Sequence, residues 1–241
     1  MKQFSLIIIF ATCLFSFAKA QNDTTEIKVY NGIELIFPGS WLEGKVKARA
    51  TVPVSGLADT ARLGIENAFN KYPPELTRKL IRRIYIVGTL SIYKRETPGT
   101  SSRENLYVAT SSKKDVEKTI HREFSNILLQ NYSQYIDKEK WREITPLEIR
   151  RTLMVGLSKT SGSMYYSSEL CPKGILCDYA LWGFEEDFNM YAQSIFSGGR
   201  MFWNLVEMYP LIKQKAKMTM DFYYNIDHAF TEDYFRILGS K

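Results

Sequence analysis

The sequence predicts an α+β fold with zincin-like character, in which a small sheet packs with several helices and the C-terminal half is mainly helical. Strand-like segments lie mainly in the first 110 residues, whereas helical periodicity dominates from residue 113 onward. Strands followed by clustered helices are typical of this class. With 241 residues, of which 45% are hydrophobic and 24% are charged, the chain can bury a sizeable core. This composition excludes disorder, collagen-like repeats and a disulfide-dense scaffold.

Residues 1–20 predict a secretory signal peptide. Lys2 gives a basic start, residues 6–17 form an apolar run, and the small residues on either side of Lys19 precede Gln21. Lys19 ends the run short of the roughly 18 apolar residues that a membrane span needs. We therefore expect an exported protein, periplasmic or extracellular, with no membrane span in the mature chain. Removal of Lys2 and Lys19 lowers the net charge from +6 to +4, which is too small to predict a nucleic-acid partner.

Residues 21–56 predict a strand-rich extension, and residues 57–241 predict the main domain. Asn31-Gly32 separates two strand-like segments at 27–30 and 33–37, which is a hairpin pattern because both residues tolerate positive φ. Helical spacing covers 57–69 and ends before two prolines, and a short helix is expected over 75–82.

The next segments predict two strands, a long helix and a helical C-terminal region. Residues 83–93 and 105–110 are rich in β-branched and aromatic side chains. Residues 113–135 predict a helix with an apolar stripe through Val116, Ile120, Phe124 and Ile127. A loop-rich stretch over 147–178 precedes helices from residue 185, one of which begins at Pro210.

Two cysteines, Cys171 and Cys177, remain after the predicted signal peptide. An exported location permits them to pair, and we predict a disulfide that closes this short loop. Two packed thiols are the alternative. A zinc pair is disfavoured because the spacing is wide and no histidine lies nearby.

Two segments carry a resemblance to a known family. Residues 119–128 read TIHREFSNIL, and residues 177–191 read CDYALWGFEEDFNMY. Together they resemble the two halves of a gluzincin-type metallopeptidase domain, similar to the anthrax lethal factor catalytic domain and to bacterial secreted proteins classed as zinc-binding metallopeptidases. Those proteins carry H-E-x-x-H on a first helix, a glutamate ligand on a later helix, and a tyrosine seven residues before that glutamate. The resemblance spans roughly residues 57–220.

The resemblance places the catalytic base on Glu123, the third metal ligand on Glu186 and the metal-facing tyrosine on Tyr179. The two histidine positions, however, fall on Arg122 and Asn126. Arginine is a permanent cation and cannot bind zinc, and an amide oxygen is a weak ligand. His121 cannot replace Arg122, because it lies about 100° around the helix.

These residues predict a degenerate site without a metal cofactor. The resemblance implies that Glu123 and Tyr179 are vestigial catalytic residues, and that Arg122, Asn126 and Glu186 are candidate binding residues at vestigial metal positions. We hypothesise that Arg122 pairs with Glu186 in place of the metal. Helix capping is a simpler explanation for the acidic residues near 186.

The leading functional prediction is an exported, catalytically inactive zincin-like protein that retains a cleft for a peptide or protein. One alternative is an active secreted metallopeptidase with divergent coordination, which alone would require zinc. Another is a purely structural secreted protein.

Overall fold

The strands form two sheets in this computed structural model, which describes residues 16–17, 26–38, 42–44, 48–53, 56–149 and 162–240. Within these ranges the strands are β1 (Ser16–Phe17), β2 (Glu26–Tyr30), β3 (Ile33–Phe37), β4 (Leu42–Gly44), β5 (Ala48–Ala50), β6 (Arg83–Val87), β7 (Leu90–Ile92), β8 (Arg95–Glu96), β9 (Gly99–Ser101) and β10 (Asn105–Ala109). Sheet 1 has the order β1-β4-β5-β7-β8, and sheet 2 has the order β2-β3-β6-β10-β9. In sheet 2, β3–β6 and β6–β10 are parallel, and β9 is an edge strand.

The predicted hairpin is present as β2 and β3. Tyr30 faces Ile33 across a turn in which Asn31 has φ 51° and Gly32 has φ 82°. Both angles are positive, as a tight two-residue turn requires. The predicted signal peptide lies outside the described residues except for Ser16–Phe17, which pair with β4.

The prediction of one strand over residues 83–93 is wrong. The segment breaks at Gly88 and continues as β7 in sheet 1, so one stretch of chain passes from sheet 2 to sheet 1. A Cβ atom at Gly88 would lie 2.3 Å from the Val52 carbonyl oxygen and 2.5 Å from the Thr51 hydroxyl oxygen. Only glycine allows this close approach of two backbones.

The helices whose bounds lie in the described residues are α1 (Leu57–Phe69), α2 (Pro74–Leu80), α3 (Lys113–Asn131), α4 (Lys138–Ile144), α5 (Phe184–Ser197), α6 (Gly199–Met208), α7 (Pro210–Ile226) and α8 (Glu232–Ser240). Residues 147–149, at the start of the stretch predicted to be loop-rich, are also helical. The α+β class is therefore confirmed. The long predicted helix ends at Asn131, and a separate 3-10 turn covers Ser133–Tyr135. Pro210 begins α7 as predicted, because the first turn of a helix needs no N–H from that residue.

The main core lies between sheet 2 and the helices, with α3 packed against both α1 and α5. The predicted apolar stripe of α3 is buried in it, from Val116 to Ile127. A smaller cluster of Ala50, Val87, Leu90 and Tyr107 joins the two sheets. No helix in the described ranges is long and apolar enough to span a bilayer.

Candidate functional site

Helix α3 buries a polar segment at its centre, which is unusual for an amphipathic helix. The helix begins at a Ser112 cap, whose hydroxyl oxygen accepts a hydrogen bond from the Asp115 N–H. His121, Arg122 and Glu123 are all at most 4% exposed. Because buried charges are costly unless they are paired, the contacts of this segment define the site.

Arg122 is paired with its own neighbour in sequence. Its Nε lies 3.1 Å from Glu123 Oε1, and its Nη1 donates to Gln193 Oε1 on α5 at 3.3 Å. Nη1 also lies 3.2 Å from the Met164 sulfur. The hypothesised ion pair between Arg122 and Glu186 is wrong: it is not among the ion pairs of the described residues, because Glu123 offers the guanidinium a nearer carboxylate.

Asn126 belongs to a hydrogen-bond chain that crosses from α3 to α5. The Ser125 hydroxyl donates to Asn189 Oδ1, and Asn189 Nδ2 donates to Asn126 Oδ1. Asn126 Nδ2 in turn lies 3.4 Å from Glu123 Oε2. Both oxygens of the Glu123 carboxylate are therefore engaged by protein donors, one from Arg122 and one from Asn126.

The donor set does not fit zinc. Arg122 cannot act as a ligand, and the Asn126 amide oxygen already accepts a hydrogen bond. Arg122 Nη2 is buried without a hydrogen-bond partner among the described residues, and the positive charge of the guanidinium would repel a metal ion placed close to it. In the described parts of the chain, no group of three or more His, Cys, Asp and Glu side chains is arranged to hold a metal ion.

Four of the five predicted site residues line one cleft of about 870 Å³: Glu123, Asn126, Tyr179 and Glu186. The lining also includes residues of the β7–β8 hairpin and of β9, among them Tyr93, Arg95 and Gly99. Arg122 lies beside the cleft, with its guanidinium carbon 5.9 Å from the Tyr179 ring centroid. The site segments of α3 and α5 are thus brought together, as the resemblance implied.

The second segment reaches the cleft through a 3-10 turn and the start of α5. Tyr179 lies in the turn Asp178–Trp182, and Glu186 is the third residue of α5. Burial raises the pKa of Tyr179, and the nearby Arg122 charge opposes that rise. Burial also raises the pKa of Glu186, and the Glu185 and Glu123 carboxylates raise it further. Tyr179 is therefore an uncharged phenol at neutral pH, and Glu186 forms no ion pair with any described residue.

The three consecutive acidic residues of α5 divide between cleft and core. Glu185 and Glu186 line the cleft. Asp187 is buried in the core, where its Oδ2 accepts from Lys215 Nζ at 2.6 Å and from Trp141 Nε1 at 2.9 Å. This buried pair fixes the first turn of α5 and the orientation of Glu186.

The predicted disulfide between Cys171 and Cys177 is wrong. Both are buried free thiols, and both pack in the main core. The Cys171 thiol donates to the Leu176 carbonyl oxygen at 3.7 Å, and backbone hydrogen bonds such as Gly174 N–H to Cys171 C=O close the loop without a covalent link. Burial raises the pKa of Cys177 to about 12, so it stays a thiol at neutral pH.

Gln193 and Asn189, which bind the two substituted positions Arg122 and Asn126, were not among the predicted site residues. Asn189 follows Glu186 by three residues and Gln193 follows it by seven, so all three lie on neighbouring parts of one face of α5. The spacing is visible in the sequence, but it does not show which side chains Gln193 and Asn189 contact. Those contacts depend on the packing of α3 against α5. His121 is a packing residue, since its Nδ1 lies 2.9 Å from the Tyr72 hydroxyl and its ring stacks on Phe196.

No protein-family model matches this sequence, and no curated protein matches it. A solved structure from Bacteroides caccae ATCC 43185, described as a "putative zinc-binding metallo-peptidase", aligns with 76% of this chain and 74% of its own. The sequence identity is 17% and the TM-score is 0.48. A likeness this distant carries no conclusion about what this chain binds or catalyses.

Proposed function

We propose that this chain is an exported, zincin-like protein that has lost the catalytic metal site and binds a peptide or protein segment in the cleft. The observation that carries this proposal is the engagement of both substituted positions with Glu123. Arg122 Nε is 3.1 Å from one carboxylate oxygen and Asn126 Nδ2 is 3.4 Å from the other. The glutamate base of a zincin acts on water bound to the metal, and here the two positions that would supply the histidine ligands carry side chains that instead donate to the Glu123 carboxylate.

The ligand class follows from the sheet edge beside Glu123. Strand β9 pairs only with β10 in the described structure. On its other edge the Gly99 C=O already accepts a hydrogen bond from the Thr97 hydroxyl at 2.8 Å, which leaves Ser101 as the residue of β9 that can pair with a ligand. A Cβ atom at Gly99 would lie 2.4 Å from the Thr119 methyl carbon and 3.3 Å from Glu123 Cγ. The glycine therefore brings the edge strand close against α3. An extended peptide that adds to β9 would run directly past Glu123.

Backbone alternation indicates which groups of β9 are free to pair. Ala109 N–H bonds to Pro98 C=O, and Ser102 N–H bonds to Asn105 C=O. In an antiparallel pair the inward-facing groups occur at every second residue. The backbone N–H and C=O of Ser101 are therefore expected to face the open edge, where they can bind a ligand backbone.

Metal analysis tests the loss of the metal site. We expect the wild-type protein, dialysed after incubation with zinc, to retain well under one zinc per chain. The double variant Arg122→His with Asn126→His should retain about one, because two imidazoles four residues apart converge with Glu186 on one ion. Adding Glu186→Gln to the double variant should weaken zinc retention. Stoichiometric zinc in the wild-type protein would overturn the proposal, and no gain in a double variant that circular dichroism shows to be folded would refute the zincin-like arrangement.

Export is a separate part of the proposal, supported by the pattern of residues 1–20. Expression of residues 1–241, followed by mass spectrometry of the recovered protein, tests it. We expect a mature N-terminus at Gln21. A protein that keeps Met1 in the cytoplasm of a secretion-competent bacterial host would overturn this part alone.

A further inference from the structure

The cleft carries uncompensated negative charge. Its lining includes four carboxylates, from Glu96, Glu123, Glu185 and Glu186, but only one guanidinium, from Arg95. Arg122 neutralises Glu123. None of the other three carboxylates forms an ion pair with any described residue, and neither does Arg95. Most ion pairs among the described residues lie instead on the outer surface. The chain as a whole carries a net charge of +6, so the negative charge of the cleft comes from where the fold places these carboxylates.

The Glu186 carboxylate is held in the cleft wall by packing. A Cβ atom at Gly183 would lie 2.8 Å from Glu186 Oε2, so the absence of a side chain at this helix cap makes room for the carboxylate. The core pair of Asp187 and Lys215 fixes the same helical turn. The Glu185 and Glu123 carboxylates line the same cleft, and Glu186 forms no ion pair with any described residue. A cation placed beside Glu186 would give this carboxylate a partner of opposite charge.

The adjoining wall already accommodates a basic side chain of the protein itself. Trp182 is 40% exposed, and the Arg95 guanidinium carbon lies 5.8 Å from its ring centroid. The Tyr179 ring lies 5.3 Å from the Trp182 ring on the way to Glu186. Aromatic faces of this kind bind the hydrocarbon stem and the charge of lysine or arginine.

We propose that the cleft selects extended peptides that carry a lysine or arginine side chain, whose cation pairs with Glu186 and whose stem packs on Trp182 and Tyr179. This inference rests on the proposed function, because the peptide backbone is held by addition to β9. It goes further in naming the chemical class of the ligand and the residue that selects it.

Peptide binding measured by fluorescence anisotropy tests this selection. The probes are N-acetylated, fluorescein-labelled octapeptides of alternating threonine and valine, with lysine or norleucine at one central position. A third probe combines norleucine with a free N-terminus. The protein variants are Glu186→Gln, Ser101→Pro and the control Glu139→Gln, which removes an exposed carboxylate from the first turn of α4. Circular dichroism and thermal melting establish that each variant is folded.

The lysine peptide should bind about tenfold more tightly than the norleucine peptide, which is a typical gain for one partly buried charge pair. Glu186→Gln should abolish this difference, whereas Glu139→Gln should preserve it. Ser101→Pro should weaken every probe, because proline removes the outward N–H.

Two outcomes separate the inference from the proposed function. Equal binding of the lysine and norleucine peptides, lost in Ser101→Pro, would overturn the basic preference and leave strand addition intact. Binding by none of the probes would overturn both. A gain seen only with the free N-terminus would show that an α-ammonium group is selected, and would refute the side-chain assignment.

Discussion

Substitution of Arg122 by methionine should be strongly destabilising. Arg122 is 2% exposed and Glu123 is 4% exposed, so the substitution leaves a carboxylate buried without its cation. Removing one partner of a buried ion pair costs about 3–5 kcal/mol. For a chain of this size about 2–4 °C is lost per kcal/mol, so the melting temperature should fall by about 6–20 °C.

Urea denaturation followed by circular dichroism measures this loss, and two further variants isolate its cause. Glu123→Gln in the Arg122→Met background removes the stranded charge, so it should recover part of the lost free energy of unfolding. Arg142→Met is the matched control, because Arg142 pairs with Glu139 on the surface, where both side chains are more than 60% exposed. Exposed pairs contribute about 0–1 kcal/mol.

The reasoning would be refuted if Arg122→Met cost no more than Arg142→Met. It would also fail if the second substitution at Glu123 lowered stability further by the same amount as in the wild-type background, because the two side chains would then be energetically independent.

Three other features give measurable expectations. Burial lowers the pKa of His121 to about 4, so below pH 6.5 the unfolded chain binds a proton that the folded protein does not. The free energy of unfolding should therefore fall by about 3 kcal/mol as the pH is lowered from 6.5 to 4. The variant His121→Phe should remove most of this pH dependence. Cys171 and Cys177 are buried free thiols, so they should be protected from a thiol reagent in the native protein. Both should react in guanidinium chloride without a reductant. Reaction only after reduction would show that they form a disulfide. Gly99→Ala should destabilise by about 1–3 kcal/mol because its Cβ would contact Thr119, and an unchanged melting temperature would refute the close approach of β9 to α3.

Much of the fold could be predicted because its signals are local. The Asn31-Gly32 turn, the apolar stripe of α3 and Pro210 each act within a few residues. The break at Gly88 could not be predicted, because its cause is the backbone of residues 51–52, which lie far away in sequence. The predicted end of α3 was too late for a different reason. Periodicity alone does not separate the last turn of an α-helix from a following 3-10 turn.

The site could be predicted in its parts but not in its pairing. The resemblance identified four residues that line one cleft, Glu123, Asn126, Tyr179 and Glu186. It did not identify the partner of Arg122, because a buried guanidinium takes whichever carboxylate and amide the packing of α3 against α5 brings nearest. Gln193 and Asn189 have no recognisable motif, and their role depends entirely on that packing.

After Gly88 the chain crosses from sheet 2 to sheet 1 and then returns, and this path makes one wall of the cleft rigid. Strands β7, β8 and β9 follow one another within residues 90–101, and only Thr97 and Pro98 separate β8 from β9. The Thr97 N–H is bonded to Leu90 C=O, and the Ala109 N–H is bonded to Pro98 C=O. This short, doubly tied connection couples the two sheets along one wall. A bulky peptide would therefore widen the cleft by displacing the 3-10 turn at Asp178–Trp182 and would leave β7–β9 in place. Amide hydrogen exchange should change more in that turn than in β7–β9 when the peptide binds.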